Sequence, residues 1–192
     1  MSSNPGWCLC RVQSVMNDEH IRERFETLIL PLMNDAYNLA RWLMRNSQDA
    51  EDMVQESYLR AFKFFGSFRE GTNARAWLLR IVRNTCYTAL AGDEHKGREV
   101  PLEEEANEIQ DASPLPPVIL SRKATIEAVR AAIAELDTDF REAIVLRELE
   151  GLSYKEISEV TDVPIGTVMS RLSRARDQLA FRLSDRKKND QL

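Results

Sequence analysis

Arg171, Arg174 and Arg176 stand close together beside Thr167 and Ser170, and the chemistry open to such a set is recognition rather than bond breaking. A guanidinium can donate a bidentate pair to the edge of guanine or neutralise a phosphate, and a hydroxyl can serve either purpose. At 3.6 residues per turn, Val168, Leu172, Ala175 and Leu179 fall within one arc, while Ser170, Ser173, Arg174 and Asp177 point the other way. Arg171 and Arg176 flank the apolar stripe. An ordinary amphipathic helix with a solvated basic face would carry the same pattern, so what precedes it decides between the two. Ser153 and Glu156 are spaced as a capping box, just after a Gly151 that can end an earlier helix. Ile157 and Val160 give the short helix a buried side, and Asp162-Val163-Pro164 stops it because proline has no amide hydrogen to continue the ladder. A second helix then begins near Ile165. Two helices across a tight turn, the second rich in arginine, form a helix-turn-helix suited to the major groove of DNA.

Charge agrees with this reading. Between Val163 and Lys188 seven basic residues face only Asp177 and Asp185, a local balance of +5, whereas the whole chain has 26 basic and 31 acidic residues and a net charge of −5. Non-specific coating of nucleic acid is therefore excluded, and binding should be local and weak without help. His20 and His95 have no nucleophile or metal-ligand partners at suggestive spacing, so no enzymatic activity is expected. Cys8, Cys10 and Cys86 lack Cys-x-x-Cys spacing, which indicates neither a disulfide framework nor a structural zinc site, and no cofactor or metal is expected. No apolar run is long enough for a bilayer, and the N-terminus lacks the charged-then-apolar order of a secretory signal. The expectation is a cytoplasmic protein without membrane insertion.

The elements that must position these residues divide into two sets. Between Ala91 and Pro117 eight acidic residues face only Lys96 and Arg98, with four prolines and few large apolar side chains. Such a stretch cannot bury enough surface to fold alone and reads as a flexible acidic linker. The expected organisation is a leader over 1–19, a helical domain over 20–90, the linker over 91–117, a helix-turn-helix domain over 118–186 and a tail over 187–192. β-branched residues are scattered and no alternating run is bounded by hairpin turns, so the fold class is all-α, two small helical domains.

In the first domain a helical segment is expected from about Ile21 to Arg45, kinked or divided at Pro31, with Ala36, Leu39, Ala40 and Leu43 on its apolar side. Ser47 is the expected N-cap of the next helix, whose early acids suit its positive end. Ala50, Met53, Val54, Ser57, Ala61 and Phe64 are assigned to the buried face of that helix, which leaves Asp52, Gln55 and Glu56 exposed as an acidic and amide cluster. A turn over Phe68 to Asn73 leads to a last helix, Ala74 to about Leu90, expected to bury Trp77 and Ile81 and to display Arg75, Arg80 and Arg83.

The run Asp49 to Glu56, followed by Ala76-Trp77-Leu78-Leu79-Arg80-Ile81 with Arg83-Asn84, resembles conserved region two of bacterial sigma factors of the extracytoplasmic-function (ECF) group, sigma-70 family. Leu136-Asp137 through Arg176 resembles region four of the same group, and the match spans nearly everything except leader, linker and tail. The resemblance implies reversible binding to core RNA polymerase to direct it to promoters. It assigns Asp52, Gln55 and Glu56 to docking on the clamp coiled coil, where their acidity suits a basic partner surface. It assigns Phe68, Asn73, Trp77, Arg80 and Asn84 to opening and reading the minus-ten element, where an extruded base must be held against an unstacking cost of a few kcal/mol. Thr167, Ser170, Arg171, Arg174 and Arg176 match the helix that reads the minus-thirty-five element. Region four is implied to grip the polymerase flap and the linker to thread the RNA exit path. Control of a stress-response regulon by an anti-sigma factor is implied too. Two features depart from the group: the leader with two cysteines, and the neutral-to-acidic Tyr87 to Glu94 where members carry a basic run. A stand-alone helix-turn-helix regulator and a sigma-like decoy for an anti-sigma factor remain the alternatives to a promoter-specificity subunit.

Overall fold

The structure, a computed structural model, describes residues 19–69, 71–94 and 117–189, with side chains over 19–69, 71–92 and 125–186. Cys8, Cys10, His95, most of the acidic linker and the chain end lie outside the described residues.

Apolar side chains spaced for a 3.6-residue period build helices throughout, and among the described residues there is no strand. The first helix, α1, covers 19–28, and Pro31 then divides the segment. Lacking an amide hydrogen, Pro31 sits in a 3-10 turn over Leu30–Leu32 before α2, Met33–Met44, resumes. α2 buries Ala36, Leu39, Ala40 and Leu43 as the spacing requires, and ends at Arg45 with φ of 62°. Its successor α3, Ser47–Phe64, is capped by Asn46 rather than Ser47: the Asn46 side-chain Oδ1 accepts from the amides of Gln48 at 2.8 Å and Asp49 at 3.3 Å. α3 buries Ala50, Val54, Ser57 and Ala61, with Met53 only partly covered. Phe64 was expected inside but stands 55% exposed, and Phe65 takes the inward place, because a 3-10 turn over Phe65–Ser67 tightens the chain there. Phe25 from α1 meets Tyr58, Phe62 and Phe65 edge-on, with ring centroids 6.3, 5.2 and 5.3 Å away. The fourth helix, α4, runs over Ala74–Glu94, past the expected end near Leu90 and into the first residues assigned to the linker. Leu78, Leu79, Val82 and Cys86 are its fully buried line, whereas Trp77 and Ile81 are only partly covered.

The C-terminal half comprises α5 (Pro117–Ala134), α6 (Thr138–Ile144), a π-helical turn (Val145–Leu149), α7 (Tyr154–Thr161) and α8 (Ile165–Asn189). Leu136, Ile144, Leu146, Leu152, Ile157, Val160, Val168 and Leu172 form its core, and this is continuous with the core of α2, α3 and α4. The two halves therefore pack against each other. The carbonyl of Ala134, at the end of α5, accepts from Arg45 at 2.8 Å and from Arg141 at 3.0 Å, two cations at the negative end of a helix. Burial pulls the Arg141 guanidinium down to about 10, with neighbouring Arg45 adding to the effect.

Candidate functional site

The helix-turn-helix forms where the sequence places it. Gly151 has φ of +68°, a left-handed position that a side chain would strain, and the chain then enters the capping box. The Ser153 hydroxyl accepts from the Glu156 amide at 3.3 Å, and a Glu156 carboxylate oxygen accepts from the Ser153 amide at 2.7 Å. These bonds hold the Glu156 carboxyl below its ordinary value. Asp162 closes α7 in the left-handed region with φ of 58°, and the Pro164 carbonyl accepts from Thr167 and Val168 to start α8. Val168, Leu172 and Ala175 are buried, with Leu179 partly covered, while Ser170, Ser173, Arg174 and Asp177 are exposed. The outer face matches the helical spacing.

Its arginines differ in what holds them. A terminal nitrogen of Arg171 donates to Asp139 at the start of α6, and Arg176 donates to Glu148 at 2.7 Å. Arg174 is exposed and enters no ion pair among the described residues. Thr167 is partly covered, and the Ser170 hydroxyl donates back to the Thr167 carbonyl. Ile165 and Met169, 45% and 54% exposed, share this end of α8. Neither residue carries a donor that would mark it in the sequence, although exposed apolar groups suit thymine methyls.

The residues assigned to the minus-ten element fall into two groups. Phe68 stacks parallel to Phe65 at 5.3 Å and Trp77 meets both rings edge-on, so these two belong to an aromatic cluster at the head of α4. Asn73 caps α4 by accepting from the Ala76 amide at 3.2 Å, and its amide donates to Glu156 at 2.5 Å. Exposed Arg80 lies 3.4 Å from Asp162, and exposed Asn84 accepts from Arg83 at 3.3 Å.

Of the three arginines expected on display along α4, only Arg80 is there. Arg75 is clasped by Asp35 and Glu150, each at 2.5 Å, and donates to the Glu150 carbonyl at 2.6 Å. Arg83 lies over the Tyr87 ring, 4.3 Å from its centroid, and donates at 2.7 Å to a Glu142 carboxylate that is wholly buried. Charged groups of the other half draw both arginines inward. Burial raises the Glu142 carboxyl against the opposing pull of Arg83, and burial with Asp35 nearby raises that of Glu150.

On α3, Asp52 and Gln55 are exposed, and Glu56 is partly covered and bonded to Arg60 at 2.7 Å. Leu59 and Phe62, 69% and 49% exposed, continue the same stripe at helical spacing and were not singled out in the sequence. Cys86 is buried and its thiol is pushed up to about 12, which leaves it unreactive. Among the described residues no group of His, Cys, Asp and Glu could hold a metal ion, and no helix is long and apolar enough to cross a membrane.

Comparison with known proteins bears on both halves. Residues 28–95 match the family model for sigma-70 region 2, and residues 126–179 match that for sigma-70, region 4. The chain is 33% identical over 167 residues to the RNA polymerase sigma-H factor of Pseudomonas aeruginosa, which covers 82% of this chain and 85% of that protein. It is 35% identical over 168 residues to the ECF RNA polymerase sigma-E factor of Haemophilus influenzae, covering 82% and 86%. Among solved structures it is similar to the sigma factor RpoE in complex with the anti-sigma factor NepR from Bartonella quintana, with a TM-score of 0.68, 28% identity, and coverage of 84% of this chain and 98% of that one. A likeness of fold alone extends to CnrH in complex with the cytosolic domain of CnrY, with a TM-score of 0.63, 23% identity, and coverage of 91% and 97%.

Proposed function

Because the chain belongs to the extracytoplasmic-function group of the sigma-70 family, we propose that its work divides over three surfaces of the two halves. The Asp52, Gln55 and Glu56 stripe on α3 docks core RNA polymerase. The head and outer face of α4, with Phe68, Asn73, Trp77, Arg80 and Asn84, opens and reads the minus-ten element. The face of α8 with Thr167, Ser170, Arg171, Arg174 and Arg176 reads the minus-thirty-five element. The domain boundaries follow the same division, the region-two domain ending with α4 and the region-four domain beginning with α5.

The observation that carries this reading is the helix-turn-helix itself. A capped α7 and a left-handed Asp162 aim the N-terminal end of α8 outward, with Arg174 exposed. Since polymerisation belongs to the core enzyme, the chain needs no catalytic group of its own, and it works where that enzyme works, in the cytoplasm. By likeness to the Bartonella quintana protein crystallised with NepR, an anti-sigma factor restrains it, and a stress-response regulon is the natural output.

Run-off transcription with purified core polymerase tests the reading. Promoter-dependent initiation supports it, and Arg174→Ala should weaken that initiation while still co-eluting with the core enzyme. Binding to an operator without polymerase, or no initiation by the unrestrained chain, would overturn it.

A further inference from the structure

Ile165 and Met169, at the head of α8, are large apolar side chains left half in solvent, although the stripe of Val168, Leu172 and Ala175 beside them is buried. At 3.6 residues per turn they form one edge of the outward arc of α8, Arg174 forms the other, and Gly166, Ser170 and Ser173 lie between, all exposed. The arc is a shallow floor of small groups with an apolar rim on one side and a cationic rim on the other. Packing within the chain does not call for the glycine in that floor: a Cβ at Gly166 would meet nothing within 4 Å, and its backbone is not left-handed. Glycine loses more conformational freedom on folding than any other residue, and one of its uses is to let a ligand come close to the backbone.

We propose that Ile165 and Met169 are specificity-determining residues for the upstream element, packing against thymine methyls while Arg174 donates to guanine. The proposal rests on the assignment of α8 to the minus-thirty-five element and adds which bases the apolar rim selects. In the major groove the thymine 5-methyl is the apolar group on a base edge, and guanine presents the paired acceptors that suit a guanidinium. A rise of 1.5 Å per residue sets the two apolar side chains about 6 Å apart along α8, against about 3.4 Å between stacked bases, so they cover thymines on neighbouring base pairs. A protein surface is the other occupant of such a rim. The adjoining floor of hydroxyls and glycine, with Arg174 beyond it, favours DNA, because the centre of a protein interface is built from large apolar and aromatic groups.

The test uses the full chain bound to core polymerase. Duplexes randomised over both promoter elements are made once with thymine and once with uracil, which pairs identically and lacks only the 5-methyl group, and those the polymerase retains are sequenced. Wild type should enrich thymine about fourfold at each of two neighbouring upstream positions, the value of burying one methyl-sized group per thymine. From the uracil library that enrichment should vanish, while upstream guanine is enriched alike in both. The variant I165Q/M169Q should lose the thymine enrichment and keep that of guanine, and I165V/M169L should keep both. Both positions are exposed, so these substitutions leave the core intact, which circular dichroism checks. Identical upstream preferences from the two libraries, or unchanged thymine enrichment by I165Q/M169Q, would overturn the proposal. So would loss of core association by I165Q/M169Q with its base preferences intact, which would give the rim to a protein surface. If the wild type initiates at no selected duplex, the assignment of α8 falls and this proposal with it, whereas initiation without dependence on the methyl removes this proposal alone.

Discussion

Arg171 and Arg174 share the face of α8, yet their surroundings set different costs for touching DNA. Arg171 must first leave Asp139, whereas Arg174 has no ion pair to break among the described residues. Replacing Arg174 by alanine should therefore cost the full value of one base or phosphate contact, about 1–3 kcal/mol in upstream-element affinity. Arg171→Ala should cost less, because the free protein loses an interaction as well; titration of each variant with duplex DNA orders the two. Glu156 carries a second residue-scale prediction, one of stability. Its carboxyl is held below the ordinary 4.5 chiefly by Ser153, so the folded state binds its proton less readily than the unfolded chain does. The stabilisation is therefore present above about 4.5 and lost as pH falls through the lower folded value. Glu156→Ala should destabilise by about 1 kcal/mol at neutral pH, as loss of a helix cap does. The gap from wild type in denaturant midpoint should close on acidification below 4.5.

Among the elements, α3 has two faces with different duties. Leu78 of α4 is fully buried in the core that α3 shares, while Leu59 stands 69% exposed in line with Asp52, Gln55 and Glu56. Leu59→Ala should shift unfolding by less than about 0.5 kcal/mol and still weaken polymerase binding by about 1–2 kcal/mol, as loss of an exposed apolar anchor does. Leu78→Ala should do the reverse, costing about 2–5 kcal/mol of stability through the cavity it leaves. Chemical denaturation beside a core-binding assay separates the two. Elements of this kind were legible in the sequence where their signals are local. The capping box, the break at Pro31, the stop at Asp162-Val163-Pro164 and the buried stripe of α8 each lie within a few residues and have one geometric solution. The misplacements were also local. Asn46 and Ser47 are adjacent residues that can both cap, and only the extended backbone at Asn46 chose between them. Phe64 and Phe65 were exchanged by a 3-10 turn that leaves no mark in a 3.6-residue pattern.

At the scale of the molecule, the sequence was silent about what Arg75 and Arg83 would meet. Their partners Glu150 and Glu142 lie 75 and 59 residues away, and no period links positions in different halves. What that arrangement stores can be read from the buried pair. Removing one member of a buried ion pair leaves the other uncompensated, at a cost of about 3–5 kcal/mol if the surroundings hold still. Here the molecule has a cheaper response, since Glu142 can return to water if the halves separate. Arg83→Met should therefore register less as a fall in the melting temperature of either half than as an increase in radius of gyration. The double variant R83M/E142M removes both charges and their desolvation costs together, and should be as compact as wild type or more so. A scattering series over wild type, single and double variants decides it: expansion in the single variant that is reversed in the double identifies the buried pair as the closure of the interface. Equal compactness in all three would assign closure to the apolar contacts between the halves.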